Sequence, residues 1–180
     1  MVSKAPIVAV VGFSKSGKTA VMEHVISNLT KKGFNVGTIK HIRGAHHSID
    51  MKGKDSWRHS QAGAKIVVCS APREIVVFRK RQTSTESLGE ALNLMKDEQL
   101  DLILVEGFRS KTASRRDIQK IVVVKEEQEI SEAIEENLDP ILAFVGPTEL
   151  AQGMRTLGIP VLNLESDGDQ LSKLVMTLMA

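Results

Sequence analysis

Apolar residues in this chain alternate between two rhythms: short aliphatic runs, and longer stretches with apolar positions three and four apart. Residues 7–11, Ile-Val-Ala-Val-Val, read as a buried strand. Residues 20–29 carry apolar side chains at 21, 22, 25, 26 and 29, one stripe with helical spacing. Gly33 suits the residue just past a helix, and residues 35–40 predict a second strand. Residues 41–53 are polar, with histidines and glycines, and loops of that length are uncommon without a role. A helix is expected over 54–62. Residues 64–70 and 74–79 predict two strands joined around Ala71-Pro72; so short a link makes a hairpin, an antiparallel element added to the sheet. Further on, the pattern predicts helices over 85–96, 131–137, 148–156 and 167–179. Strands are expected over 100–105, 119–125, 141–145 and 160–164.

Near-continuous apolar strands alternating with helices specify an α/β fold, a mostly parallel twisted sheet with helices on both faces. A chain of 180 residues suits one domain over 1–180. Ligands of such sheets bind beyond the carboxyl ends of the strands, so the chemistry is sought there.

The first strand end carries it plainly. Gly12-Phe13-Ser14-Lys15-Ser16-Gly17-Lys18-Thr19 fits the phosphate-loop pattern G-x-x-x-x-G-K-[ST], with a strand before it and a helix after. Glycines at 12 and 17 permit close backbone approach, so successive N–H groups can face phosphate oxygens at a helix N-terminus. Lys18 is placed to reach the β- and γ-phosphates and Thr19 to ligate Mg²⁺. A Gly/Ser-rich turn with no ligand explains the glycines but not the Lys-Thr pair.

Two other strand ends are chemically rich. Glu106 directly follows an aliphatic run, where phosphate-loop nucleotidases place an acid that supports Mg²⁺ or orients water; the bland alternative is a surface acid opening a turn. The third is Thr38-Ile39-Lys40-His41, followed by His46, His47, Asp50, Lys54, Asp55 and His59. Imidazoles admit a transition-metal site, but the spacing matches no closed zinc template and no cysteine supports it. A loop contacting an anionic ligand through Lys40, Arg43, Lys52 and Lys54 fits better, and a solvated loop is the alternative. Arg109, Lys111, Arg115 and Arg116 follow Glu106 on an expected loop, suited equally to a second anionic ligand, a partner surface or solvent.

Composition narrows the classes. A net charge of +2 gives no reason to expect nucleic acid as the main partner, and no apolar stretch approaches a membrane span. With five Phe, one Trp and no Tyr, the core must be aliphatic. Cys69 is the only cysteine, within an apolar run, and reads as a structural strand residue. The N-terminus runs straight into the first strand with no room for a signal peptide, so a cytoplasmic protein is expected.

The ordered set of motifs resembles the MobB family, the molybdopterin-guanine dinucleotide biosynthesis adaptor proteins. It comprises the phosphate loop, Thr38-Ile39-Lys40-His41, His46/His47 with Asp50, Gly53-Lys54-Asp55-Ser56-Trp57-Arg58-His59 with Ala62-Gly63-Ala64, and Leu104-Val105-Glu106-Gly107-Phe108. The resemblance spans residues 7–109. It implies a three-layer phosphate-loop NTPase fold and a GTP-binding, commonly dimeric, cytoplasmic protein with weak Mg²⁺-dependent GTPase activity. Such proteins assist the guanylyltransferase (MobA) that attaches GMP to molybdopterin. Carried over, Gly12 to Thr19 and Ala20 would hold the GTP phosphates and Mg²⁺, with Lys18 and Glu106 in the catalytic roles. Lys40, His41, Asp50, Lys54 and Asp55 would line the nucleotide, with Thr19, Asp50 and Glu106 on the metal. Molybdopterin or the partner enzyme is expected against the 41–55 loop. Ala20 stands where a second Thr is usual, and Gly146-Pro147-Thr148-Glu149 replaces the Asn-Lys-x-Asp guanine motif of many GTPases. Two other functions stay open from the residues: a small phosphate-loop kinase using an arginine lid from 109–116, and a GTPase metallochaperone using the histidines.

Overall fold

A computed structural model describes residues 5–42, 48–80, 87–153 and 158–179. The chain divides into two compact units, one formed by residues 1–41 and 88–180, the other by residues 42–87.

The larger unit is built on strands β1 (Ile7–Gly12), β2 (Val36–Lys40), β5 (Leu102–Glu106), β6 (Ile118–Val123), β7 (Ile141–Val145) and β8 (Val161–Leu162). They lie in the order β2-β5-β1-β6-β7-β8, every pairing parallel. The apolar runs alternate between faces. Val8 and Val10, with Leu102, Leu104, Ile121 and Val123, pack against helices α1 (Lys18–Thr30) and α7 (Leu164–Met176) through Val21, Val25, Leu29, Leu171 and Val175. Ala9 and Val11, with Ile103, Val105, Ile118 and Val122, face α3 (Leu88–Asn93) and α5 (Glu127–Glu135) through Leu88, Ile130 and Ala133. Each aliphatic side chain so buried contributes about 1.5–3 kcal/mol. Helices on both faces are what a doubly buried parallel sheet requires.

Helix ends differ most from the expectations. Helix α5 begins at Glu127, four residues ahead of the expected start, where Glu127 and Glu129 favour the helix dipole and Glu129 Oε2 accepts from Lys125 N at 2.6 Å. Helix α7 begins at Leu164, because Asn163 caps it by accepting from Glu165 N and Ser166 N. That cap shortens the last strand to Val161–Leu162. Residues 109–112, expected in a loop, form a helical turn, α4 (Arg109–Thr112). Helix α6 (Thr148–Gly153) starts where expected. Parts of the 85–96 and 148–156 helices, residues 85–86 and 154–156, lie outside the described residues.

The smaller unit contains α2 (Asp55–Gln61) and strands β3 (Ile66–Ala71) and β4 (Glu74–Arg79). The strands pair antiparallel, as the short link required, but as a two-stranded sheet of their own instead of an addition to the main sheet. Ile66 and Val68 on β3 and Ile75 and Val77 on β4 share one face and are 50–70% exposed. Cys69 sits half-buried on the opposite face with Val67.

Candidate functional site

Strand β1 ends at Gly12, and the chain turns through residues 13–17 into α1. Gly12 (φ 153) approaches β6 so closely that a Cβ would lie 2.4 Å from the Val123 carbonyl oxygen. Lys15 (φ 58) and Gly17 (φ 97) take left-handed conformations that curl the loop. Gly17 precedes α1 without a side-chain cap, and the first turn holds no acidic residue. The N-terminal N–H groups of a thirteen-residue helix therefore remain for an anion, with the positive end of the helix dipole behind them. Lys18 Nζ donates to Phe13 O at 2.5 Å, which holds the ammonium across the loop from its helical limb. This is the cradle that the motif anticipates.

Sheet order supplies the second half of the site. Strand β5 lies between β1 and β2, so Glu106 at its end faces residues from both. Thr19 Oγ1 donates to Glu106 Oε1 at 3.2 Å, and Lys40 Nζ lies 3.0 and 2.9 Å from the two carboxylate oxygens. A hydroxyl and a carboxylate in contact, beside a phosphate cradle, form the oxygen donor set that suits Mg²⁺. Lys40 balances the carboxylate charge; its side chain is 56% exposed, so the pair adds only about 0–1 kcal/mol of stability. Glu106 is thus no isolated surface acid.

After Glu106 the backbone turns sharply through Gly107 (φ 89) and Phe108 (φ 56). The turn is fixed by Gly107 N donating to Val10 O and His41 N donating to Glu106 O. The His41 ring stacks on Phe108 with centroids 4.4 Å apart, so His41 packs the strand ends together. Arg109, one of the basic residues after Glu106, extends its guanidinium over the Phe13 ring, 5.0 Å from the centroid, and donates from Nε to Glu136 Oε2 at 2.7 Å. Neither Phe13 nor Glu136 signalled this from sequence, because the three residues share no local pattern. Arg115 pairs instead with Asp117, which raises its pKa through their hydrogen bond.

Asp50, Lys54 and Asp55 belong to the smaller unit. Asp50 is buried; its Oδ1 accepts from Ser56 Oγ at 2.9 Å, while Oδ2 is buried without a partner among the described residues, a position that a cation or an N–H donor would satisfy. Asp55 lies 3.8 Å from Arg58 on the surface of α2. Arg43, His46 and His47 lie outside the described residues. Among the described residues no group of three His, Cys, Asp or Glu side chains could hold a metal ion, and no helix is long and apolar enough to cross a membrane.

Lys120 had no sequence signal. It is fully buried on β6, and its ammonium donates to the carbonyls of Arg115 (2.7 Å) and Asp139 (2.5 Å), which ties the β6 and β7 entries together.

Comparison with known proteins bears on the family and the fold. Residues 7–147 match the family described as molybdopterin guanine dinucleotide synthesis protein B. The chain is 33% identical over 120 residues to a putative molybdopterin-guanine dinucleotide biosynthesis adapter protein of Methanocaldococcus jannaschii, a match covering 67% of this chain and 47% of that protein. The chain thus spans about half the length of that relative. It is 30% identical to the adapter protein of Haemophilus influenzae, with 74% of each covered. The crystal structure of Bacillus subtilis MobB superimposes with a TM-score of 0.77 at 25% identity, over 97% of this chain and 98% of that one.

Proposed function

Because this chain belongs to the MobB family, we propose that it is a GTP-binding accessory protein of molybdenum cofactor biosynthesis. In this reading it assists the conversion of molybdopterin to molybdopterin guanine dinucleotide and hydrolyses GTP slowly at most. The observation that carries the reading is the uncapped α1 N-terminus behind the Gly12–Thr19 loop, with the Thr19–Glu106 donor pair beside it. A helix end, a lysine across the loop and an adjoining hydroxyl-carboxylate pair are the parts a Mg²⁺-nucleotide needs.

The roles follow from chemistry. Main-chain amides of residues 13–19, with Ala20 in the first helical turn, hold the phosphates. Lys18 exchanges its bond to Phe13 O for phosphate oxygens. Thr19 and Glu106 would hold the Mg²⁺ on the metal side, where it would supply neutralisation of the phosphate charge. Lys40 pairs with the Glu106 carboxylate and lies at the same strand ends as a further cation for the ligand. We assign Asp50, Lys54 and Asp55, with the loop that carries them, to molybdopterin or to the guanylyltransferase. Guanine preference rests on family membership, since the 146–149 segment carries no guanine-reading motif.

We also assign a homodimer in the cytoplasm. The support for the dimer is the β3–β4 hairpin, which leaves Ile66, Val68, Ile75 and Val77 exposed on one face. Two-stranded sheets are marginal alone and are stabilised by covering such a face.

Titration with GTP and ATP at equal Mg²⁺ tests the nucleotide assignment: tighter GTP binding is expected, and equal or tighter ATP binding refutes it. Lys18→Ala should remove most triphosphate affinity while leaving the fold intact. Co-purification with the guanylyltransferase, with and without GTP, tests the partner; absence of association under both conditions overturns it.

A further inference from the structure

Arg109 has a feature that the roles above leave unused. It begins α4, three residues beyond Glu106, and the left-handed pair Gly107-Phe108 sets its direction. Thr112 Oγ1, bonded to the Phe108 carbonyl, braces the turn from the other side. Three of its surroundings are defined. Nε is held by Glu136, the guanidinium carbon lies 5.0 Å over the Phe13 ring, and Nη2 is buried with no acceptor among the described residues. A buried charged donor left unpaired is costly, so such a group calls for a partner: an ordered water, an ion or a ligand.

We propose that Arg109 is a second phosphate ligand, held against the phosphate loop, whose Nη2 donates to a terminal oxygen of a bound nucleoside triphosphate. The inference rests on the reading that this loop takes GTP. Position selects the ligand. Phe13 follows Gly12 inside the loop, and Arg109 follows the acid that contacts Thr19, so the guanidinium is tied to both halves of the site. Guanidinium suits phosphate because its donors fit two oxygens in one plane. Glu136 neutralises and orients it through Nε, leaving Nη2 for the ligand. Phe13 is the cover: it is 43% exposed and held by a stacking contact, so it swings aside readily. Because Arg109 sits on the metal-side limb of the site, its contact reports the last phosphate and separates GTP from GDP.

The test measures the affinities of the full chain for Mg·GTP and Mg·GDP by calorimetry, for the wild type and Arg109→Gln. The expected result is a loss of about tenfold or more in GTP affinity, with GDP affinity within about twofold of wild type. A Phe13→Trp probe in a Trp57→Phe background should change its fluorescence with Mg·GTP and far less with Mg·GDP. Equal losses for both nucleotides, or none for either, would make Arg109 a structural clasp for Glu136 and overturn the proposal. If the wild-type chain binds neither nucleotide, the assignment of the loop fails and takes this inference with it.

Discussion

Gly12→Ala is the substitution whose cost the structure defines best. Gly12 closes the β1–β6 ladder opposite Val123. An added Cβ would lie 2.4 Å from the Val123 carbonyl oxygen and 2.8 Å from Ser16 Oγ. The hydroxyl can rotate away, but the carbonyl belongs to the sheet, so relief requires β1 and β6 to part where the phosphate loop begins. Overpacking of this kind costs about 1–3 kcal/mol. Holding a residue with a Cβ at φ 153 adds about 1–3 kcal/mol. The sum, about 2–6 kcal/mol, is a large share of a domain stability of about 5–15 kcal/mol. Gly33→Ala separates the two contributions. Gly33 also has positive φ (92), but its Cβ would meet nothing within 4 Å, so it bears the backbone strain without the clash. Any gain from stiffening the unfolded chain is common to both variants and cancels. Urea denaturation should therefore place Gly12→Ala below Gly33→Ala by about 1–3 kcal/mol. Nucleotide titration should show affinity lost in the first and kept in the second. Equal stabilities, with nucleotide affinity retained in both, would refute the view that the close β1–β6 approach shapes the cradle.

Glu106→Gln keeps the shape of the donor pair but removes its charge; nucleotide affinity should change only a few-fold while GTP turnover falls about a hundredfold, and unchanged turnover would refute the metal-side role. Burial lowers the Lys120 pKa below its ordinary 10.5, so between the lowered value and 10.5 the folded chain binds fewer protons than the unfolded one. Stability therefore rises with pH across that window, and this contribution is lost as pH falls through the lowered value. Lys120→Met should flatten that part of the pH profile and, by removing the ammonium's bonds to the Arg115 and Asp139 carbonyls, cost about 1–3 kcal/mol at neutral pH; an undiminished slope would show that another group titrates. Val77→Lys places a charge in the exposed hairpin face and should convert a dimer to monomers in sedimentation; a monomeric wild type would refute the dimer.

Sequence by itself determined the parts whose cause is local. The run at 7–11 and the stripe at 21–29 specified a buried strand and a half-buried helix, because periodicity records which faces meet the core. The spacing from Gly12 to Thr19 identified the phosphate loop, since its glycines, lysine and threonine are neighbours in the chain. Caps were also local yet harder to read: Asn163 moved the start of α7 forward through hydrogen bonds that compete with the strand pattern before it. Tertiary structure alone decided what those parts meet. It inserted β5 between β1 and β2, which joined Thr19, Lys40 and Glu106, and it set Arg109 between Phe13 and Glu136. It also buried Lys120 and gave the β3–β4 hairpin a sheet of its own. Strand order and distant ion pairs follow from how two faces of a whole sheet are covered at once, and that packing competition leaves no imprint on a short stretch of residues.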